Sequence, residues 1–203
     1  MKKRVGNALR SIASSPIHVT EANARGACGK CGGEVSVQPV PRYQVKKELI
    51  GGMHVELIDV VHALQCGKCG TILRTDIPDM PGLLAAISVT RAKEPLKLNG
   101  QEIRFLRKSI ELTARGLAQD LDVSEETVSR WENGHLAIGN SVERILRWKV
   151  CKALEEKAPA IDWDDDEILT RMNIAPVSAH PLVMYFQRGP FKRREQWRER
   201  KAA

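Results

Sequence analysis

The stretch LTARGLAQDLDVSEETVSRWENG, from Leu112 to Gly134, most narrowly limits what this chain can become. Leu117, Ala118 and Leu121 recur at helical spacing and predict one short helix with a single apolar edge. Asp122 and Val123 break it, and Ser124 is suited to cap a second helix. On that second helix Val128 and Trp131 point one way, three residues apart. Glu125, Glu126, Ser129, Arg130 and Asn133 point the other way, and Gly134 supplies the stop. A short helix with one buried edge and one hydrogen-bonding edge, following a tight turn, suits insertion into a DNA major groove.

A second constraint is carried by cysteine. CGKCGG begins at Cys28 and CGKCGT at Cys66, with 34 residues between Cys31 and Cys66. Each Cys-x-x-Cys turn can offer two thiolates to one ion, and glycine after the second cysteine lets the backbone turn. Four thiolates in a tetrahedron favour zinc over harder cations. Two redox dithiols, or disulfides in a secreted protein, are the competing readings, and two matched turns flanking a β-hairpin favour the metal. One structural Zn2+ per chain, held by Cys28, Cys31, Cys66 and Cys69, is therefore expected. His54 and His62 are read as surface or packed residues, since four cysteines already complete the tetrahedron.

The chain has 203 residues, a formal charge of +7 and a pI near 9.3, a balance that permits nucleic-acid binding without demanding it. No apolar run is long enough for a transmembrane helix. The N-terminus, MKKRVGNALRSIASSPIHV, lacks the apolar centre of a secretory signal. With cysteines spaced for metal, a reduced, cytoplasmic setting is expected.

Read in order, residues 1–25 form a basic arm, with a short helix from Val5 to Ile12 allowed by the pattern. Residues 26–80 carry the metal site, with strand-like runs Glu34–Val40, Tyr43–Leu49 and Val55–Leu64 and a turn at Gly51-Gly52. Residues 81–97 are a linker or helix. Residues 98–156 are the helical unit. Its first helix spans Gly100–Ile110, and its last is capped by Asn140 or Ser141 and buries Val142, Ile145, Leu146 and Val150. Residues 157–203 form an extension. There Asp164 or Asp165 caps a short helix through Met172, and Leu182–Phe186 docks on the core or on a dimer mate. A basic end with Phe191 and Trp197 is a candidate DNA-backbone arm.

The segment from Leu112 to Gly134 resembles the XRE/Cro family of repressor domains, in its leucine-alanine helix, its turn, and Val123-Ser124 followed by Thr127-Val128-Ser129-Arg130-Trp131-Glu132 and Gly134. A four-cysteine unit placed before such a domain resembles the MqsA (YgiT-type) antitoxins of toxin–antitoxin pairs, over roughly residues 28–154. The resemblance implies an α+β chain: a small N-terminal β-hairpin zinc ribbon, an all-α lambda-repressor-like helix-turn-helix domain, and a C-terminal extension. It implies base contacts from Arg130, and from Glu126 and Ser129 beside it. Ser124, Thr127 and Asn133 would hold phosphates or cap the helix. Family members often place glutamine where Ala114 stands, to grip a phosphate, and Arg115 or Thr113 would do so here. Arg107 and Glu132 match positions of a structural ion pair.

An arginine such as Arg130 can read guanine O6 and N7 with two hydrogen bonds, worth about 1–3 kcal/mol. One such helix covers few base pairs, so a homodimer on a palindromic double-stranded operator is expected. The expected function is a transcriptional regulator, a repressor of its own operon. As an antitoxin its metal unit would also bind a protein toxin. The alternative is a zinc-bearing protein or RNA interaction module without operator binding. No nucleophile–base pair, phosphate loop or open metal site points to an enzyme.

Overall fold

The computed structural model describes residues 26–176, 182–192 and 194–200. The expected arm at 1–25, with its helix from Val5 to Ile12, lies outside the described residues.

The longest strand, β2 (His54–Cys66), organises the sheet. Its alternation buries Val55 and Leu57, then shifts phase to bury Ile58, Val61 and Ala63. The shift has a local cause. Pairing with β1 (Val35–Gln44) sets Val40 against Val61 and Arg42 against Ile58, so Asp59 and Val60 together face Pro41 alone. That is a β-bulge, and Asp59 takes the left-handed conformation it requires, at φ 54°. Pro41 has no N–H to donate, and β1 is an edge strand, where proline is tolerated.

Along its other edge β2 has two neighbours. Its second half pairs antiparallel with β3 (Ile72–Asp76), and its first half pairs parallel with β4 (Val183–Phe191), His54 against Val183 through Leu57 against Phe186. β4 folds back into β5 (Arg194–Arg200), with Trp197 buried and its Nε1–H donating to the Asp79 carbonyl at 3.0 Å. Parallel neighbours need a crossover connection. Among the described residues the crossover carries all five α-helices: α1 (Met80–Lys93), α2 (Gly100–Ser109), α3 (Ala114–Asp120), α4 (Glu125–Glu132) and α5 (Asn140–Leu154).

These pairings overturn the expected architecture of a β-hairpin ribbon, a separate lambda-repressor-like helical domain and an appended extension. The residues expected to extend beyond the helices supply two strands of a five-stranded mixed sheet. One continuous core joins Val55, Leu57, Met184, Phe186 and Trp197 to Leu83, Ile87, Leu106, Leu117, Val128, Leu146 and Val150. Leu182–Phe186 does dock on the core, as sheet. The basic end is no free arm, because Trp197 anchors it.

Helix α1, expected as linker or helix, is the layer between sheet and helices. Leu83 and every residue from Ala85 to Ala92 are buried. A helix apolar on all sides is a buried helix. It has small residues at Ala85, Ala86, Ser88 and Ala92, and it packs on α2, α5 and β5. Asp79 caps it through the Gly82 N–H, and a Cβ at position 82 would lie 2.2 Å from the Asp79 carboxylate, so a side chain there would displace the cap.

Helix α5 departs from its expected cap. Gly139 is the N-cap residue, and Asn140 Oδ1 instead accepts from Lys97 Nζ at 2.7 Å. Leu146 and Val150 are buried as expected, whereas Ile145 is 41% exposed. Arg147 on α5 is fully buried. Its Nη1 donates to the carbonyls of Ala92 (2.9 Å) and Glu94 (2.5 Å), and its Nη2 donates to Leu96 (2.6 Å) and to Glu143 Oε1 (2.7 Å). The carbonyls ending α1 have no partner within their own helix, so Arg147 supplies one from α5. Arg147→Met leaves those carbonyls and the buried Glu143 short of a partner. We expect a loss of about 3–5 kcal/mol in urea unfolding; a loss below about 1 kcal/mol would contradict this role.

Candidate functional site

The two cysteine turns meet at one end of the sheet. Cys28 N–H donates to the Gly33 carbonyl (2.8 Å) and Gly32 N–H to the Cys28 carbonyl (2.8 Å). The second turn repeats the pattern, with Cys66 N–H on Thr71 (3.0 Å) and Gly70 N–H on Cys66 (2.9 Å). Gly32 and Gly70 sit at φ 67° and 68°, the left-handed region where a side chain is strained. Gly33 is required by close approach. A Cβ there would lie 2.7 Å from Lys68 Cβ and 2.9 Å from Cys66 Sγ.

The result is a compact tetrad. Cys28 and Cys69 sulfurs are 3.7 Å apart, Cys31 and Cys66 3.5 Å, and all four lie within 4.8 Å of one another. A tetrahedral thiolate site with metal–sulfur bonds near 2.3 Å has edges of about 3.8 Å. The four cysteines can therefore hold a metal ion. Among the described residues no other group of cysteine, histidine and carboxylate side chains is placed to do so.

The protonation pattern fits a site that gathers negative charge. The hydroxyl and amide of Thr71 pull the Cys69 thiol down to about 6. Hydrogen bonding from the Cys69 amide lowers Cys66, against burial. The Gly33 amide also favours a Cys31 thiolate, but the sulfurs of Cys69, Cys66 and Cys28, with burial, push that thiol up to about 12. Four thiolates cannot crowd together without a cation or retained protons. In metal-free protein at pH 7, iodoacetamide should alkylate exposed Cys69 first and buried Cys151, whose thiol burial pushes up to about 12, last. Peptide mass spectrometry reads the order; equal rates would refute it.

The second group of expected residues lies on α3 and α4, joined by residues 121–124, where Asp122 is left-handed at φ 52°. Thr113 caps α3 by accepting from Gly116 N–H, and Ser124 caps α4 by accepting from Thr127 N–H at 3.1 Å. The Ser124 and Thr127 hydroxyls are 2.8 Å apart. Val128 and Trp131 are buried, while Glu125, Glu126, Ser129, Arg130 and Asn133 are exposed. Arg115 is exposed on the first turn of α3.

Two ion pairs shape this face. Arg130 Nη2 meets Glu126 Oε1 at 2.7 Å, one turn apart and open to solvent, so the guanidinium is held along the helix. Such an exposed pair is worth little, roughly 0.2–1 kcal/mol, and opens readily. Beneath, Arg107 binds Glu132 through Nε (2.5 Å) and Nη2 (3.0 Å), and donates to the Leu112 carbonyl through Nη1 (2.7 Å). It thus ties α2 to α4 and to the start of the α3 turn.

Sequence reasoning missed Arg104. Its Nε donates to Glu132 Oε2 (3.0 Å) and its Nη2 to Asn133 Oδ1 (3.0 Å), so Asn133 is committed to α2 as well as to Ser129. The available signal was its spacing of three residues from Arg107, which puts both guanidiniums on one face of α2. Burial raises the Glu132 carboxyl, but Arg107 and Arg104 outweigh it and hold the group below the ordinary glutamate range. A depressed folded-state value gives stability that is present above the ordinary carboxylate range and lost as pH falls through the folded value. Glu132→Gln should lower stability at pH 7, with the difference narrowing below about pH 4. Thermal unfolding across pH measures this, and a pH-independent difference would contradict it.

Among the described residues no helix is long and apolar enough to cross a membrane. No family model, curated protein or solved structure matches the chain.

Proposed function

We propose that the protein is a sequence-specific DNA-binding regulator that presents α4 to the major groove. The observation that carries the reading is the exposed polar edge of α4 on a rigid base. Val128 and Trp131 seat the helix in the core, and Glu132 fixes it to Arg107 and Arg104. A base-reading side chain needs such a base, because discrimination depends on hydrogen bonds held in register. Arg130 is the base-reading residue in this proposal, oriented by Glu126 until it engages the groove. Ser129 reads or supports beside it. Arg115 reaches backbone phosphate, while Thr113, Ser124 and Thr127 stand at or beside helix N-termini, where exposed N–H groups attract phosphate.

Glu125 and Glu126 make the start of α4 acidic, so phosphate attraction must come from elsewhere in a chain of +7 charge. A homodimer on a palindromic operator supplies it by doubling the basic surface, and repression of its own operon is the corresponding use. The metal in the cysteine tetrad is zinc in this reading, held structurally. Five free thiols suit a reduced, cytoplasmic setting.

A protein partner, of the toxin kind, is the second element, and one observation favours it. Ile72 and Leu73 on β3, beside the Cys66–Thr71 turn, are 55% and 46% exposed. An apolar pair at the rim of a fixed metal turn is suited to a protein contact.

The test is selection of bound sequences from random duplex DNA, followed by Arg130→Ala. The expected outcome is one enriched palindromic sequence, with affinity for it falling about 10–100-fold in the variant. Salt-sensitive binding to random DNA should be unchanged. Failure of the wild-type chain to enrich any sequence, or equal loss on both DNAs, would sink the proposal.

A further inference from the structure

A groove of about 920 Å³ opens between the β1–β2 connection, the start of α1, and α2. Its floor is apolar: Leu49, Met80, Leu84 and Phe105 line it and pack against the core. The wall is fixed by backbone. Gly51 and Gly52, at φ 65° and 81°, lie so close to α2 that a Cβ on Gly51 would be 2.7 Å from Phe105 Cβ. The floor is therefore pre-formed, as small-molecule sites commonly are.

The rim carries the information about the occupant. Lys47, Arg104, Lys108 and Lys157 stand around the groove, against the carboxylates of Glu48 and Glu111. Lys157 is neutralised by Glu111 at 3.4 Å. Among the described residues Lys47 and Lys108 have no ion-pair partner. Two unpaired ammonium groups and a guanidinium over an apolar floor complement a small molecule with one anionic end and one apolar end. A basic polypeptide such as residues 1–25, with Lys2, Lys3, Arg4 and Arg10, would be repelled. A nucleic acid has no apolar body to fill the floor.

We propose that this groove is a binding site for an amphipathic organic anion, a carboxylate on a hydrocarbon body, with Lys47 and Lys108 holding the charged end. Arg104 gives the site a consequence, because it lines the groove and its guanidinium holds Glu132 and Asn133 at the end of α4. An anion that draws Arg104 away loosens that end. This consequence rests on the DNA-binding reading; the site itself does not.

The experiment uses the full chain without DNA, titrated calorimetrically with decanoate below its micelle concentration, and with decylammonium and decanol as controls. The expected result is saturable binding of one decanoate per chain, with decylammonium and decanol at least ten-fold weaker. The Lys47→Glu/Lys108→Glu variant, changed only at the rim, should lose at least ten-fold for decanoate and gain for decylammonium. Leu84→Trp, which fills the floor, should abolish binding while circular dichroism stays native. If Leu84→Trp unfolds, the rim variant alone decides. Absence of saturable binding, equal binding of all three probes, or an unaffected rim variant would overturn the site. So would light scattering showing a wild-type dimer that Leu84→Trp makes monomeric, since the groove would then be a subunit interface.

Discussion

Arg147 is the side chain on which the arrangement of layers depends. Three separate elements must be fixed relative to one another: α1 against the sheet, the loop that leaves it, and α5 across both. A single guanidinium reaches all three, capping the α1 carbonyls, holding Leu96 and pairing with Glu143. Burying a charge this deeply is costly unless every donor is used. Here the donors converge on the carbonyls of Ala92, Glu94 and Leu96 and on Glu143 Oε1. Glu143 Oε1 accepts in turn from the Leu98 N–H (3.0 Å), and Oε2 forms an ion pair with Lys97 at 2.8 Å. Arg91 repeats the arrangement one step along, gripping Glu102 while donating to Leu96 and Lys97. The loop from Glu94 to Leu98 is thus shaped by side chains from two helices rather than by its own sequence.

From that loop the order passes outward to α4. Glu102 closes a capping box with Asn99 and starts α2, and α2 carries Arg104 and Arg107, which hold Glu132. The chain of contacts runs from the α1 terminus through α2 to the end of α4 without leaving ionic or capping hydrogen bonds. At the far end of the molecule a different device operates. β2 ends in Cys66 of the tetrad, and its partner β1 starts just after the other turn, so a metal there would clamp the open ends of two strands. Metal loss is therefore expected to act on the ends of β1, β2 and β3, while the ionic network remains intact around α1 and α5.

Much of the helical half was legible because its signals are local. Thr113, Ser124 and Asn133 sit within a turn of the ends they define, and the breaks at Asp122 and Gly134 are read directly. The cysteine tetrad was legible for the same reason, since each turn declares itself by spacing. The sheet was not. Nothing in VMYFQ says that it will pair in parallel with HVEL more than a hundred residues earlier, because register across a crossover leaves no periodic trace in either strand. For residues 81–97 the sequence leaves helix and linker both open, because burial on all sides erases the amphipathic period that marks a surface helix. Arg91, Glu102, Glu143 and Arg147 look like solvated residues in a sequence of high charge, and only their convergence shows otherwise. The bulge at Asp59 likewise depends on Pro41, a residue of another strand.

The merged core bears on how the exposed edge of α4 can work. In a helical unit tethered to a separate metal unit, changes at one would reach the other only through a linker. Here α2 borders the groove on one side and α4 on the other, and Arg104 is shared between them. Arg107 holds the same carboxylate from a more buried position, with side-chain exposure of 10% against 46% for Arg104. The two guanidiniums therefore divide the work. Arg107, the more buried, keeps α4 seated, and Arg104, reachable from solvent, is the one for which the proposed anion would compete. Release of Arg104 would leave the seat intact, since both Glu132 oxygens still accept from Arg107, and would free Asn133 Oδ1. It would adjust the last turn of α4, where Arg130 is rooted, without unfolding the helix.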